Sequence, residues 1–259
     1  MKLNNDNYFS PEANMTYMSA TQFKDFLNCE AAALARVKGE YADEYTTPLL
    51  VGSYVDAHFS GEIEKFTAEH SEIFNKRTGE LKADYRKADK IIERAERDPV
   101  FREALSGDNQ KIMTGELYGV PFKIKMDSYF EGERIVDLKV LKDMKNTYKN
   151  GEWKPFVDAW GYDIQGFIYQ QIVKANTGKE LPFYLAVITK EAPADMELIH
   201  IPQWKLNSTA AVIEHYVERF AAIKRGEIEP DRCGKCNYCR ETKVLTGAIE
   251  YDELLETDF

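Results

Sequence analysis

No stretch of the 259-residue sequence approaches the ~18 consecutive apolar residues that a membrane-spanning helix needs, which excludes a membrane-embedded protein. The opening Met1-Lys2-Leu3-Asn4-Asn5-Asp6 has no apolar core of the secretory kind, so a cytoplasmic protein with no membrane partner is expected. Cysteine is scarce, with four residues in all, and in a reducing compartment these are not expected to pair as disulfides. Also missing is the surplus of Lys and Arg that dominates phosphate binding: 34 basic residues face 44 acidic ones, for a net charge of −10. Internal repeats and low-complexity segments are absent as well.

What is present is an ordinary globular composition, 44% apolar and 30% charged, with chain enough for one large or two small domains. The negative charge is unevenly spread. Residues 241–259 carry Glu241, Glu250, Asp252, Glu253, Glu256 and Asp258 against Lys243, an acidic tail that holds half of the excess. Lys139, Lys142, Lys145, Lys149 and Lys154, opposed only by Asp143 and Glu152, make a local basic stretch, read on charge alone as a solvated loop. Three of the four cysteines fall in Cys233-Gly-Lys-Cys236-Asn-Tyr-Cys239, and the fourth, Cys29, lies some two hundred residues upstream. Thiolates two residues apart can turn inward on one centre, and four of them complete a tetrahedral zinc site or a [4Fe–4S] cluster. Such a staple would join the two ends of the chain, so a single integrated domain over residues 1–240 is expected, followed by the tail.

Ser19-Ala-Thr-Gln22 reads as a capping box opening a helix that carries Cys29 and ends near Gly39. A second helical stretch follows Pro48, and Lys82 to Leu105 reads as a charged, partly exposed hairpin arm kinked at Pro99. Ile112 to Leu117, Val120 to Phe130 and Arg134 to Val140 are β-type runs joined by Tyr118-Gly119 and Glu131-Gly132-Glu133, an antiparallel meander. A helix over 155–175, a buried strand over 181–189 and an amphipathic helix over 207–225 follow. The regions are thus a helical part, 19–105, a core, 111–226, and the cysteine motif, 233–239; the order predicts an α/β fold with a mixed sheet flanked by helices.

Chemistry concentrates in the meander. Asp137 and Lys139, two apart in a strand, share a face, and Asp127 near the end of the neighbouring strand can converge with Asp137 on a hard divalent cation. Lys139 would then orient or deprotonate a water, or offset charge on a phosphate. The apolar Ile135-Val136 flank argues against a mere surface ion pair, which would be unfavourable in a buried strand unless used.

Asp127 followed by Asp137-Leu138-Lys139 resembles the PD-(D/E)XK nuclease superfamily, and within it the RecB-type nucleases and RecE-like phage or prophage exonucleases. Gln165-Gly-Phe-Ile-Tyr169 is similar to the family's Q-x-x-x-Y motif, with Gln165 and Tyr169 one turn apart on one helical face. The family's upstream metal-binding His is matched imperfectly by Gly52-Ser-Tyr-Val-Asp56-Ala-His58, where Asp56 holds the usual spacing and His58 is the alternative; Glu116 is a further acid of the neighbourhood. The resemblance implies a restriction-endonuclease-like core and Mg²⁺ or Mn²⁺ held by Asp127, Asp137, the Leu138 carbonyl and Asp56 or His58. It further implies catalytic roles for Lys139, Gln165 and Tyr169. The one-plus-three cysteines, Cys29 with Cys233, Cys236 and Cys239, are similar to the iron–sulfur subgroup, which favours [4Fe–4S] and leaves zinc open.

The activity implied is exonucleolytic hydrolysis of double-stranded DNA ends in phage-type recombination or repair, in the cytoplasm of a bacterial host. The alternative is a nuclease-like module that grips DNA ends or a recombination partner without cutting. Other implied partners are single-stranded DNA, a single-strand annealing recombinase recruited by Glu191, Asp195 or the tail, and further copies of the chain. Trp153 and Trp160 stand near the basic stretch, Trp153 as a stacking surface and Trp160 more simply as a core aromatic.

Overall fold

The computed structural model describes residues 1–43, 46–149, 151–245 and 247–251; of the acidic tail, Thr246 and residues 252–259 lie outside the described residues. Helix α1 (Pro11–Thr16) starts on the Ser10 hydroxyl, which accepts the Ala13 N–H, with proline at its first position. The expected capping box opens α2 (Ala20–Asn28), where the Ser19 hydroxyl accepts the Gln22 N–H at 3.2 Å. One helix through to Gly39 does not form. Cys29 adopts extended backbone, at φ −164° and ψ 110°, and splits the run into α2 and α3 (Glu30–Lys38), because its thiol turns toward the C-terminal cysteines.

Helices α4 (Thr47–Phe59), α5 (Ile63–Glu69), α6 (Ala83–Arg97) and α7 (Pro99–Ala104) follow. The break at Pro99 is as expected, with Asp98 capping the Val100 and Phe101 N–H groups at 3.0 and 2.9 Å. The exposed arm is corrected. Tyr85, Ala88, Ile91, Ile92 and Ala95 of α6 and Leu50, Val51 and Val55 of α4 bury a common face against Val136, Leu138, Ala186 and Ile188, so these helices cover one face of the sheet. The charges that suggested an arm occupy the opposite, solvated face of α6.

Strands β1 (Asp108–Leu117), β2 (Val120–Phe130) and β3 (Arg134–Leu141) form the predicted meander. The β1–β2 turn is tight because Tyr118 and Gly119 both adopt positive φ, 51° and 78°, as a two-residue hairpin loop requires. The lysine-rich stretch is not simply a loop: it folds as a small hairpin, β4 (Thr147–Lys149) with β5 (Glu152–Lys154). The helix expected over 155–175 divides at left-handed Gly161 into α8 (Phe156–Ala159) and α9 (Tyr162–Thr177). Strand β6 (Phe183–Thr189) runs parallel to β3, and β7 (Met196–Ile201), which the sequence patterning did not reveal, pairs antiparallel with β6. Among the described residues this makes a five-stranded mixed sheet in the order β1-β2-β3-β6-β7.

Helix α10 (Gln203–Asn207), helix α11 (Ala210–Arg225) and the short α12 (Asn237–Glu241) are the remaining elements among the described residues. Phe23 and Phe26 of α2, Ile168 and Ile172 of α9 and Phe220 of α11 pack on Phe122, Ile124, Phe183 and Leu185, covering the second face of the sheet. The result is the expected α/β architecture, helices on both faces of a mixed sheet. No helix among the described residues is long and apolar enough to cross a membrane.

Candidate active site

The sheet has a flaw where the acids lie. β2 and β3 are hydrogen-bonded only from Phe130↔Arg134 to Ser128↔Val136; one step further, Asp127 and Asp137 stand at opposite register positions with the ladder already parted. Asp127 Oδ2 accepts the Leu138 N–H at 2.8 Å, so a side chain replaces the lost backbone partner. On its other side Asp127 faces Gln110, the one residue of β1 between the paired Asn109↔Ser128 and Lys111↔Met126, with φ of 52° and its Nε2 at 3.5 Å from Asp127 Oδ1. In a strand the N–H and C=O of one residue point the same way, so the Leu138 carbonyl also opens on this gap.

Asp137 and Lys139 share a face as period two requires, and they form an ion pair through Asp137 Oδ2 and Lys139 Nζ. Gln165 of α9 donates to Asp137 Oδ1 at 2.7 Å, and Tyr169, one turn on, donates its hydroxyl to the Lys125 carbonyl of β2 at 3.0 Å. Asp56, on α4, joins from the opposite helical layer. Asp56, Asp127, Asp137, Leu138, Lys139, Gln165 and Tyr169 all line one cleft of about 410 Å³. A second cavity of about 390 Å³, lined by Tyr8, Phe9, Gln110 and Lys125, shares Asp56, Asp127 and Tyr169 with the first. The carboxylates therefore stand where two cavities meet.

The electrostatics are those of a site short of positive charge. Enclosure pushes the Asp127 carboxyl well above the usual carboxylate range, and the charges of Asp137 and Asp56 add to this, against Lys139 and the Leu138 N–H. Asp56 is raised in the same way, by enclosure and by Asp137, with Lys139 opposing. For Lys139, burial disfavours the ammonium, but Asp137 and Asp127 more than offset it and its pKa is raised. Such a set of carboxylate oxygens around one lysine fits a hard divalent cation.

A family model described as a PDDEXK-like domain of unknown function (DUF3799) matches residues 19–242. The chain belongs to the PD-(D/E)XK nuclease superfamily. Among solved structures, it is similar to a protein of Eubacterium rectale presumed to be an exonuclease, with 44% sequence identity, a TM-score of 0.93 and 98% of each chain covered. No curated protein matches it significantly. Nucleases of this superfamily generally use divalent metals, as the carboxylate cleft would suit.

Not every candidate joins the cleft. His58 is turned to Glu96 on α6, Nε2 to Oε1 2.7 Å, and lines neither cavity, whereas Asp56 lines both. The two residues are two apart on a helix and cannot face one way. Glu116 lies exposed at the β1–β2 hairpin end, opposite Pro121 and outside both cavities. Trp160 is no core residue: it is 50% exposed, with Lys149 Nζ 5.4 Å from its ring centre.

Trp160, Lys149, Lys154 and Lys24 converge on a further cleft of about 420 Å³, which also holds Asp25 and Asp158. Lys24 was not foreseen. It sits on α2, donates to the Trp160 carbonyl at 3.4 Å, and is pushed down to about 8 by burial and by Lys139. Gln110, Lys125, Tyr162 and Lys190 are other residues of the site that motif spacing does not mark; Tyr162 places its ring 5.1 Å from Lys139 Nζ. Their signal lay only in tertiary neighbourhood, apart from the unusual Gly161-Tyr162 helix start.

Past the C-terminal end of α2, Cys29, Cys233, Cys236 and Cys239 come together, all four sulfurs within 4.8 Å of one another. The staple foreseen from spacing is thus assembled, and it could hold a metal.

Proposed function

We propose that the chain is a Mg²⁺- or Mn²⁺-dependent exodeoxyribonuclease that hydrolyses phosphodiester bonds at double-stranded DNA ends, in phage-type recombination or repair in a bacterial cytoplasm. Residues 1–240 act as one nuclease domain. The observation that carries the reading is the pairing of Asp127 and Asp137 at the parted β2–β3 ladder with Lys139 beside them. The family and the similarity to the Eubacterium rectale protein support a nuclease, and the exonucleolytic mode rests on that neighbour's name and on the RecE-like motifs.

Asp56, Asp127, Asp137 and the Leu138 carbonyl would hold the cation, which would polarise a phosphoryl oxygen and make a bound water more acidic. Lys139, kept charged by its acid neighbours, orients the water and offsets charge developing on the phosphate. Gln165 fixes the Asp137 carboxylate, and Tyr169 ties α9 to β2, so both act by holding the carboxylates in place. Lys24, Lys149 and Lys154 with Trp160 supply phosphate contacts and a stacking face beside the cleft, which reconciles DNA binding with a net charge of −10. The acidic tail would recruit an annealing recombinase, and the chain would work as a homo-oligomer.

The test compares end-labelled linear duplex with closed circular duplex, in Mg²⁺ and in EDTA, beside Asp137→Ala. Loss of linear DNA alone, dependent on Mg²⁺ and absent in the variant, is expected. Retention of DNA without cutting, insensitive to chelator, would replace the nuclease with an end-binding module.

A further inference from the structure

The cysteine site can be asked which centre it fits, independently of the carboxylate cleft. Cys29 and Cys239 sulfurs lie 3.6 Å apart, Cys233 and Cys239 3.9 Å, and no pair of the four exceeds 4.8 Å. Four thiolates at ~2.3 Å from one tetrahedral ion stand about 3.8 Å from each other, which is simple tetrahedral geometry. A [4Fe–4S] cube interposes an iron between each thiolate and the cube's centre, which separates the thiolate sulfurs to roughly 6 Å. The observed spacing matches the single ion and is too tight for the cube.

The tightness is not a collapse of loose loops. Glu30, next to Cys29, accepts two hydrogen bonds from Arg219 at 2.7 and 2.8 Å and one from the Asp231 N–H at 2.8 Å. Arg219 also binds Asp231 at 2.9 Å, and the Ala31 N–H donates to the Asp231 carbonyl at 3.0 Å. Both arms of the site are therefore fixed by bonds that do not involve sulfur. Within the C-terminal arm, Gly234 at φ 75° turns the chain so that the Cys236 N–H points at Cys233 Sγ, 3.4 Å away, a knuckle that stabilises thiolate charge. Cys29 and Cys239 are buried against Ala31 and Ala32, and all four thiols are unpaired as disulfides.

We infer that Cys29, Cys233, Cys236 and Cys239 form a closed, structural site for one zinc ion, in place of the [4Fe–4S] cluster that the iron–sulfur resemblance implies. Four protein ligands leave no open position, so the ion takes no part in phosphodiester chemistry. Its work is mechanical. It pins the α2–α3 break to α12, and α2 carries Lys24 and Asp25 on the walls of the clefts around the active site.

The full chain is expressed with iron and sulfide supply, purified without oxygen, and analysed for zinc, iron and acid-labile sulfide. One zinc per chain is expected, with no sulfide and no broad absorbance near ~400 nm. If the protein emerges metal-free, reduced apoprotein titrated with zinc should take up one equivalent, with release of thiol protons and a rise in melting temperature; failure to take it up overturns the proposal. Anaerobic reconstitution with iron and sulfide that yields four irons and four sulfides per chain overturns it too. Replacement by Co²⁺ should give the visible bands of a tetrahedral tetrathiolate, and Cys236→Ser should shift or lose them; octahedral bands overturn the site. None of these readouts depends on nuclease activity.

Discussion

Asp127 is held by the strand it has parted from: its carboxylate accepts the Leu138 N–H at 2.8 Å, and Leu138 lies between Asp137 and Lys139. The relative placement of the carboxylates is thus set by the backbone of β3 before any cation arrives. Preorganisation of this kind disfavours the Asp127 carboxylate, whose pKa is raised first by burial and then by repulsion from Asp137 and Asp56, and a divalent ion would relieve that repulsion.

From that repulsion follows a stability signature of metal binding. Mg²⁺ at ten times its Kd should add about 1.4 kcal/mol to the wild-type chain, a rise of a few degrees in Tm for a domain of this size. Asp127→Asn keeps an oxygen for the Leu138 N–H and removes one negative charge. We expect it to match or exceed the wild-type Tm in EDTA, to gain nothing from Mg²⁺, and to cut at least about 100-fold more slowly. A Mg²⁺ shift as large in the variant as in the wild type would show that the ion binds elsewhere.

Lys139→Met leaves Asp137 buried with only Gln165 as partner. Loss of one member of such a pair typically destabilises by about 3–5 kcal/mol. The variant should therefore melt well below the wild type in EDTA, recover part of the difference in Mg²⁺, and remain inactive in both. Calorimetry with and without the ion separates this from a simple folding defect: a variant that gains no more from Mg²⁺ than the wild type does would mean that the ion does not compensate the unpaired charge of Asp137.

The site's strand half was legible because period-two alternation is a strong local signal. Ile135, Asp137 and Lys139 had to share a face, and the turn at Tyr118-Gly119 set β2 beside β1. The helical half was legible less well. Q-x-x-x-Y spacing put Gln165 and Tyr169 on one face of α9 but could not say that Tyr169 ends on the Lys125 carbonyl. For Asp56 and His58, spacing favoured Asp56 but could not place either side chain; in the fold Asp56 lines the cleft and His58 turns to Glu96. The layer made by α4 and α6 was missed because an amphipathic pattern rich in charge tells that one face is apolar and not what covers it. The break at Cys29 escaped because no local signal marks it, only a partner two hundred residues away. Edge strand β7 escaped because Glu197 and His200 interrupt its apolar run.

Gly166, between Gln165 and Phe167 on α9, is required by close approach and not by backbone dihedral. A Cβ there would stand 2.5 Å from Phe183 Cδ1 and 2.9 Å from Leu206 Cδ2, both side chains fully buried. Gly166→Ala should destabilise by about 1–3 kcal/mol through overpacking, despite the better helix propensity of alanine. It should also push α9 off β6, moving Gln165 from Asp137. We expect a fall in kcat with DNA binding kept, and a wild-type kcat together with a wild-type Tm would refute the tight packing.

Away from the site, Lys224 makes stability depend on pH in the alkaline range. Its ammonium is buried, donating to the Tyr17 carbonyl at 2.7 Å and to Gln22 Oε1 at 3.0 Å, and burial, then the neighbouring Lys123, push it down to about 7. Lys123 is itself pushed down to about 8 by burial. An unfolded lysine keeps its proton to about pH 10.4. Between pH 7 and 10 the unfolded chain therefore binds more protons than the folded one, and stability rises with pH, by at most about 1.4 kcal/mol per pH unit for each such lysine. Below pH 7 both states are protonated and the dependence on Lys224 vanishes. Lys224→Met should flatten the rise between pH 7.5 and 9.5 without abolishing it, since Lys123 and Lys24, also pushed down to about 8, continue to contribute. Urea unfolding at three pH values in that window measures the slope, and parallel lines for wild type and variant would mean that Lys224 remains charged in the fold.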